Sequence, residues 1–305
     1  MTESAAHRES LPFDSTAHLL ARVTAQLGTQ LRHVSLNGTR RPMTPPPPPP
    51  PPSRPSAPPT LVAVAHGSRD PDALRTVTAL LERVRELRPG LDVRLGHIEL
   101  NEPLLTDTLA GLHRGRGGDA VLVPLLLGRG HHVKHDLPQA AATAPHLRTR
   151  VAVPLGPHPL LVEALYDRLT EAGWQASDTA HPGSGVVLAA AGSRDPESTA
   201  DTRRTAALLS ERLGGVPVVP AYASAASPTV PEALRALAAR GRHRAAVASY
   251  FTAPGRFAAQ SAAAAPWIAA APLGTHPALA RLLLLRYDQA LAGRSLTPRH
   301  HLAAA

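Results

Sequence analysis

The sequence contains no cysteine. Disulfide staples, thiolate-bound zinc or iron–sulfur clusters and thiol nucleophiles are thereby excluded. Aromatic residues are scarce, 3% against 43% hydrophobic residues overall, so a core has to be built from Ala, Val and Leu. Those few rings are scattered rather than interleaved with a basic stripe, which argues against a nucleic-acid partner that needs stacking platforms. Lysine is almost missing too: of 32 basic residues only Lys134 is not arginine, a compositional bias that carries little chemistry. No run of about 18 apolar residues occurs, since Pro266 and Pro272 interrupt the alanine-rich stretch at 262–273, so no membrane span is expected. The first 60 residues show no secretory signal pattern, and the expectation is a cytoplasmic protein.

What is present divides the 305 residues unevenly. Residues 45–52 are eight consecutive prolines, a segment suited to an extended polyproline II spacer. Ahead of it Leu19, Leu20, Val23, Leu27, Leu31 and Val34 fall at helical spacing with nothing of their own to pack on. Residues 1–59 therefore read as a largely disordered Pro-rich tail, the alternative being a docking helix or a Pro-rich ligand for a partner. After Thr60, short apolar runs at 61–65, 93–98, 120–127 and 151–155 alternate with helical segments near 71–88, 103–113, 136–145 and 159–172. This βαβαβαβα pattern predicts an α/β fold, a four-stranded parallel sheet with helices on both faces.

The pattern then repeats. His66-Gly67-Ser68-Arg69-Asp70-Pro71 returns 125 residues later as Ala191-Gly192-Ser193-Arg194-Asp195-Pro196. Pro154-Leu155-Gly156-Pro157-His158-Pro159 returns 118 residues later as Pro272-Leu273-Gly274-Thr275-His276-Pro277. The body is thus two tandem copies, residues 60–180 and 181–295, followed by a short tail at 296–305. Residues kept in both copies read as architectural: a glycine turn, Asp70 and Asp195 as N-caps, and Pro71 and Pro196 at the first helical position. His158 and His276, each at a strand end, read as turn residues.

The differences between the copies carry the chemistry. At the 125-residue offset His66 faces Ala191, Glu99 faces Ser224, Glu102 faces Ser227, His132 faces Phe257, His135 faces Gln260 and Asp136 faces Ser261. A flavodoxin-like strand order of 2-1-3-4 brings the carboxyl ends of the first three strands together, and with them His66, Glu99 and the loop at 128–132. Imidazoles beside a carboxylate suit a borderline divalent metal, and they also accept protons near neutral pH. Each residue alone has a bland alternative: a strand-end His can be a turn residue, and Glu102 before Pro103 can cap the next helix.

Three segments resemble the sirohydrochlorin chelatases, the small class II chelatases of sirohaem and cobalamin synthesis. They are His66-Gly67-Ser68-Arg69, Ile98-Glu99-Leu100-Asn101-Glu102-Pro103, and the run from Pro124 through Gly128-Arg129-Gly130-His131-His132 to Lys134-His135-Asp136-Leu137-Pro138. The resemblance covers roughly residues 60–293, and it implies two tandem flavodoxin-like domains of class II chelatase type with the active cleft between them. It puts the metal-handling histidines at His66 and His132 and the acidic helper at Glu99, with His97 where the family commonly has an aromatic residue. It further implies Fe(II) or Co(II) as metal substrate, no permanently bound cofactor, and sirohydrochlorin, which carries eight carboxylates, as partner. Arg69, Arg129 and Lys134 in the first copy, with Arg194 and Arg256 in the second, are the basic groups expected to meet those carboxylates.

Ferrochelation for sirohaem is the favoured reading, and cobaltochelation the alternative. A carrier using His131, His132 and His135 is a further one. A phosphate-binding protein is disfavoured, because neither first strand is followed by a GxGxxG or Walker sequence. The fusion is expected to act as a monomer with an internal pseudo-dimer.

Overall fold

A computed structural model describes residues 58–112 and 118–293. The expected tails at 1–59 and 296–305 lie outside the described residues, apart from Pro58 and Pro59.

The first copy folds as β1 (Thr60–Ala65), α1 (Pro71–Leu87), β2 (Val93–His97), α2 (Leu105–Ala110), β3 (Asp119–Pro124), a π-helical turn (His132–Asp136) running into α3 (Leu137–Ala142), β4 (Arg148–Val151) and α4 (Pro159–Glu171). A short helix, α5 (Ala176–Ala180), leads into the second copy: β5 (Ser184–Ala190), α6 (Pro196–Arg212), β6 (Val218–Tyr222), α7 (Val230–Ala238), β7 (Arg244–Tyr250), α8 (Arg256–Ala263), β8 (Ile268–Ala269) and α9 (Pro277–Leu291). The two sheets run β2-β1-β3-β4 and β6-β5-β7-β8, all parallel, in the expected order. Asp70 and Asp195 cap α1 and α6 as expected, each accepting a backbone N–H two residues on at 2.9 Å.

Central strands buried on both faces read as continuous apolar runs, and β1 divides its side chains between two cores. Val62 and Val64 pack outward with Leu105, Leu109 and Leu137. Leu61, Ala63 and Ala65 turn inward to Val77, Leu80, Leu81 and Val84, the i, i+3, i+4, i+7 stripe of α1. The inner core does not stop at the copy boundary. It continues through Val186, Leu188, Leu209 and Tyr250, so both copies share one hydrophobic interior.

The last helix of each copy crosses over. α4 packs on β7 and α6 of the second copy, α9 packs on α1, β3 and β4 of the first, and the two helices meet each other. His158 and His276 are the N-caps of these exchanged helices, accepting from Leu160 N at 3.1 Å and Ala278 N at 3.2 Å. The turn reading of both histidines thus resolves into helix capping. A reciprocal pair of bonds ties the exchange: Arg168 Nη2 donates to Leu273 O at 3.1 Å and Arg286 Nη2 to Leu155 O at 2.8 Å, equivalent positions with the copies interchanged. Glu163 on α4 meets its own equivalent, Arg281 on α9, at 2.9 Å.

Two local expectations shift. The fourth strand begins at Arg148 rather than Val151, because β4 is an edge whose Arg148 and Arg150 face outward, so charged residues can occupy a strand there. The expected 136–145 helix begins earlier, as the π-helical turn at His132.

Candidate active site

The carboxyl ends of β1, β2 and β3 meet at a cleft of about 850 Å³ lined by both copies. His66 follows β1 directly, and the loop after β2 is tied beside it by Ile98 N donating to Ala65 O at 2.9 Å and Glu99 N to His66 O at 3.0 Å. Gly67, at φ +102°, is what lets the two loops touch: a Cβ there would stand 1.9 Å from Glu99 O. Asn101 Oδ1 accepts from Ser68 N at 2.7 Å and closes the turn. The second copy keeps this scaffold, with Gly192 against Ser224 O and Ser224 N bonded to Ala191 O. Glu102 accepts from Leu104 N at 3.1 Å, the bland capping role, and is not drawn into the cleft chemistry.

His66 and His132 stand face to edge with ring centroids 4.7 Å apart. An imidazole nitrogen bound at about 2.0–2.1 Å puts its ring centroid about 3.2 Å from the ion, so two rings on one ion at 90–110° have centroids roughly 4.5–5.2 Å apart. The observed separation lies inside that window. Glu99 Oε1 is 3.6 Å from His66 Nε2, too long for a hydrogen bond and about the edge length between two ligands of one tetrahedral ion. Among the described residues no group of three or more His, Asp or Glu side chains is placed to hold a metal ion, so the pair His66 and His132 stands without a third protein ligand.

Asp136, a candidate through its replacement by Ser261 in the second copy, takes a positioning place beside His132. Its Oδ2 lies 2.5 Å from His132 Nδ1, one π-helical turn away, which fixes the ring and leaves Nε2 for an ion. The His132-x-x-x-Asp136 spacing was the available signal. His97 sits in β2 with 2% exposure, its Nδ1 3.2 Å from Pro103 O, in the register that Tyr222 fills in the second copy. Burial pushes its pKa down, and its role is packing beneath the site.

The basic residues divide. Arg69 and Arg256 line the cleft from opposite copies, the Arg256 guanidinium 4.7 Å from the Phe257 ring centroid, while Arg194 is exposed outside the lining. Arg129 and Lys134, expected to meet substrate carboxylates, are paired in this structure with carboxylates of the second copy. Arg129 N and Nε donate to Asp201 Oδ2 at 3.0 Å each and Nη2 to Oδ1 at 2.7 Å. Lys134 Nζ contacts Asp195 at 2.7 Å and Glu197 at 2.8 Å, and its ammonium holds the Asp195 carboxyl below the usual range. Two residues flanking His132 are therefore clamped to the N-terminal half of α6. Tyr250 adds a third tie, donating to Leu127 O at 3.1 Å.

Across the cleft the second copy offers Ser193, Ser198, Thr202, Ser224 and Thr252 where the first has imidazoles. The duplication seen in the fold also appears in sequence comparison: the CbiX family model matches twice, over residues 60–172 and 185–290. The chain belongs to the CbiX family. This CbiX-family chain is 28% identical over 176 residues to a sirohydrochlorin ferrochelatase of Bacillus subtilis, covering 56% of this chain and 66% of that protein. A sirohydrochlorin ferrochelatase of Priestia megaterium is 29% identical over 178 residues, 56% of this chain and 64% of the relative. The match thus spans just under two thirds of the length of both relatives. A sirohydrochlorin cobaltochelatase of Methanopyrus kandleri is 29% identical over 136 residues, 37% of this chain and 95% of its own. SirB from Bacillus subtilis with Fe3+ superposes at a TM-score of 0.63 and 24% identity over 77% of this chain and 96% of that one, a likeness of fold.

Proposed function

We propose that this protein inserts Fe(II) into sirohydrochlorin to give sirohaem, as a metallochelatase with one active copy. The observation that carries the reading is the His66–His132 pair, spaced for one ion, at a cleft whose other wall, from the second copy, is lined without imidazoles. The relatives named for sirohydrochlorin ferrochelation support it.

In this reading the ion rests on His66 and on His132 Nε2, with Asp136 holding the far side of the His132 ring. Passing the ion to the macrocycle frees two imidazoles at the moment two pyrrole N–H protons must leave. The cleft charge then balances, one dication out and two protons taken up, with Glu99 beside His66 to stabilise the protonated ring. Arg69 and Arg256 hold the substrate's carboxylates from opposite walls. The chain acts as a cytoplasmic monomer on this small polyanion, with no permanently bound cofactor and no role for nucleic acid or membrane.

The relatives named for cobaltochelation favour Co(II) as the alternative metal, since the same ligands accept both ions. The test is anaerobic mixing of the protein with sirohydrochlorin and either Fe(II) or Co(II), followed by the absorbance of the macrocycle. His66→Ala and His132→Ala are expected to lower kcat by about 100-fold or more while sirohydrochlorin still binds. Failure to insert either metal refutes the assignment.

A further inference from the structure

His131 and His135 are used neither by the fold nor by the reaction just described. Their rings lie 4.6 Å apart, tilted by 35°. The window of roughly 4.5–5.2 Å for two imidazoles on one ion applies to them as it does to the inner pair. They stand four residues apart across the π-helical turn, and the His131 side chain is 72% exposed. Between the two pairs lies Asp136, whose Oδ1 is 3.8 Å from His131 Nε2 while Oδ2 holds His132 Nδ1. The centroids of His131 and His132 are 6.3 Å apart, so the outer pair adjoins the inner.

We propose that His131 and His135 form a second site for a divalent transition-metal ion, an outer loading site in series with the His66–His132 pair. Solvent reaches the outer pair, as it must for a hydrated ion to exchange water for imidazole. Two imidazoles at helical i, i+4 spacing suit a borderline ion and leave its other positions to water, so the ion is held loosely enough to move on. His131 also borders the cleft, so an ion released by His135 stays on a side chain that faces the inner pair. Asp136, within 3.8 Å of His131 and bonded to His132, sets a carboxyl group beside the ion's passage between them. The ligand class is a divalent cation of the iron–cobalt–nickel group. Only the destination of the ion rests on the function proposed above.

The experiment is titration of the full chain with Co(II) alone, followed by its visible absorption and by calorimetry, without sirohydrochlorin. Wild type is expected to bind one equivalent more than either His131→Ala/His135→Ala or His66→Ala/His132→Ala. Single changes, His131→Gln or His135→Gln, are expected to weaken the outer equivalent at least tenfold and to raise the KM for metal in the insertion assay. Binding by the His131→Ala/His135→Ala protein equal to wild type overturns the proposal. So does loss of both equivalents in the His66→Ala/His132→Ala protein. A chain that inserts no metal into sirohydrochlorin yet loses one Co(II) equivalent with His131 and His135 keeps the outer site and refutes only the proposed reaction.

Discussion

The duplicated turn makes a paired experiment possible, because Gly67→Ala and Gly192→Ala impose one structural insult on the copy that carries His66 and on the copy with Ala191 in its place. At Gly67, φ is +102° and the new Cβ would lie 1.9 Å from Glu99 O; at Gly192, φ is +93° and the contact is 1.8 Å from Ser224 O. Placing an L-residue at positive φ costs about 1–2 kcal/mol. Forcing a backbone carbonyl aside adds about 1–3 kcal/mol, as other overpacking does. Each variant should therefore lose roughly 3 kcal/mol. For a body of this size, melting through one shared core, that is a fall in Tm of about 6–12 °C. The functional consequences differ. The carbonyl displaced at Gly67 belongs to Glu99, so the carboxylate leaves its 3.6 Å approach to His66, whereas at Gly192 the displaced loop carries only Ser224. Thermal melts and metal-insertion kinetics at 25 °C are expected to show equal losses of stability, with kcat reduced at least tenfold in Gly67→Ala alone. Equal losses of kcat in the two variants, or an unchanged melt for Gly67→Ala, would refute the reasoning.

The clamp on α6 and two desolvated histidines give two further tests. Asp201→Asn leaves the three donors of Arg129 one neutral oxygen in place of a buried carboxylate; with the guanidinium 41% exposed and able to rehydrate, the expected cost is about 1–2 kcal/mol. A double-mutant cycle with Arg129→Gln should recover about 1 kcal/mol of coupling together with a fall in kcat, and zero coupling sinks the clamp. His97 and His158 have pKa values pushed down, chiefly by burial and for His158 also by Arg286, so the folded chain takes up protons on them less readily than the unfolded chain does. The unfolded chain takes up those protons near pH 6.5, so stability is whole above that pH and is lost as pH falls below it. Tm should drop between pH 7 and 5, and His97→Phe should flatten that drop. Parallel curves for the two proteins would show that His97 is not responsible.

Strand order, the doubling and the meeting of His66, Glu99 and His132 were legible in the sequence, because alternating apolar runs and a repeated turn specify them locally. The exchange of α4 and α9 was not. The stripe Leu161, Leu165 and Leu169 says which face of α4 is apolar, but the inward faces of two copies of one sheet are equally apolar, and helical periodicity does not say which is covered. The pairing of Arg129 and Lys134 with the second copy was hidden for a related reason. A cation beside a cleft looks the same in sequence whether its partner carboxylate arrives with a ligand or stands on a neighbouring helix. Asp136 was visible in its motif, but its role depends on a π-helical turn that brings residue i+4 onto His132 Nδ1.

Glu163 and Arg281 occupy the same position in the two copies and face each other where α4 and α9 meet. A side chain on a twofold axis meets itself, so in a dimer of identical chains a charge placed there faces its own sign. Joining the copies in one chain removes that restriction, since each half now has its own codon for the position. The present pair uses the freedom to set opposite charges against each other. The same choice closes the way back: two first copies brought together without the second would oppose Glu163 to Glu163 at the junction of the exchanged helices. Fusion has thus made the halves mutually specific as well as permanently linked.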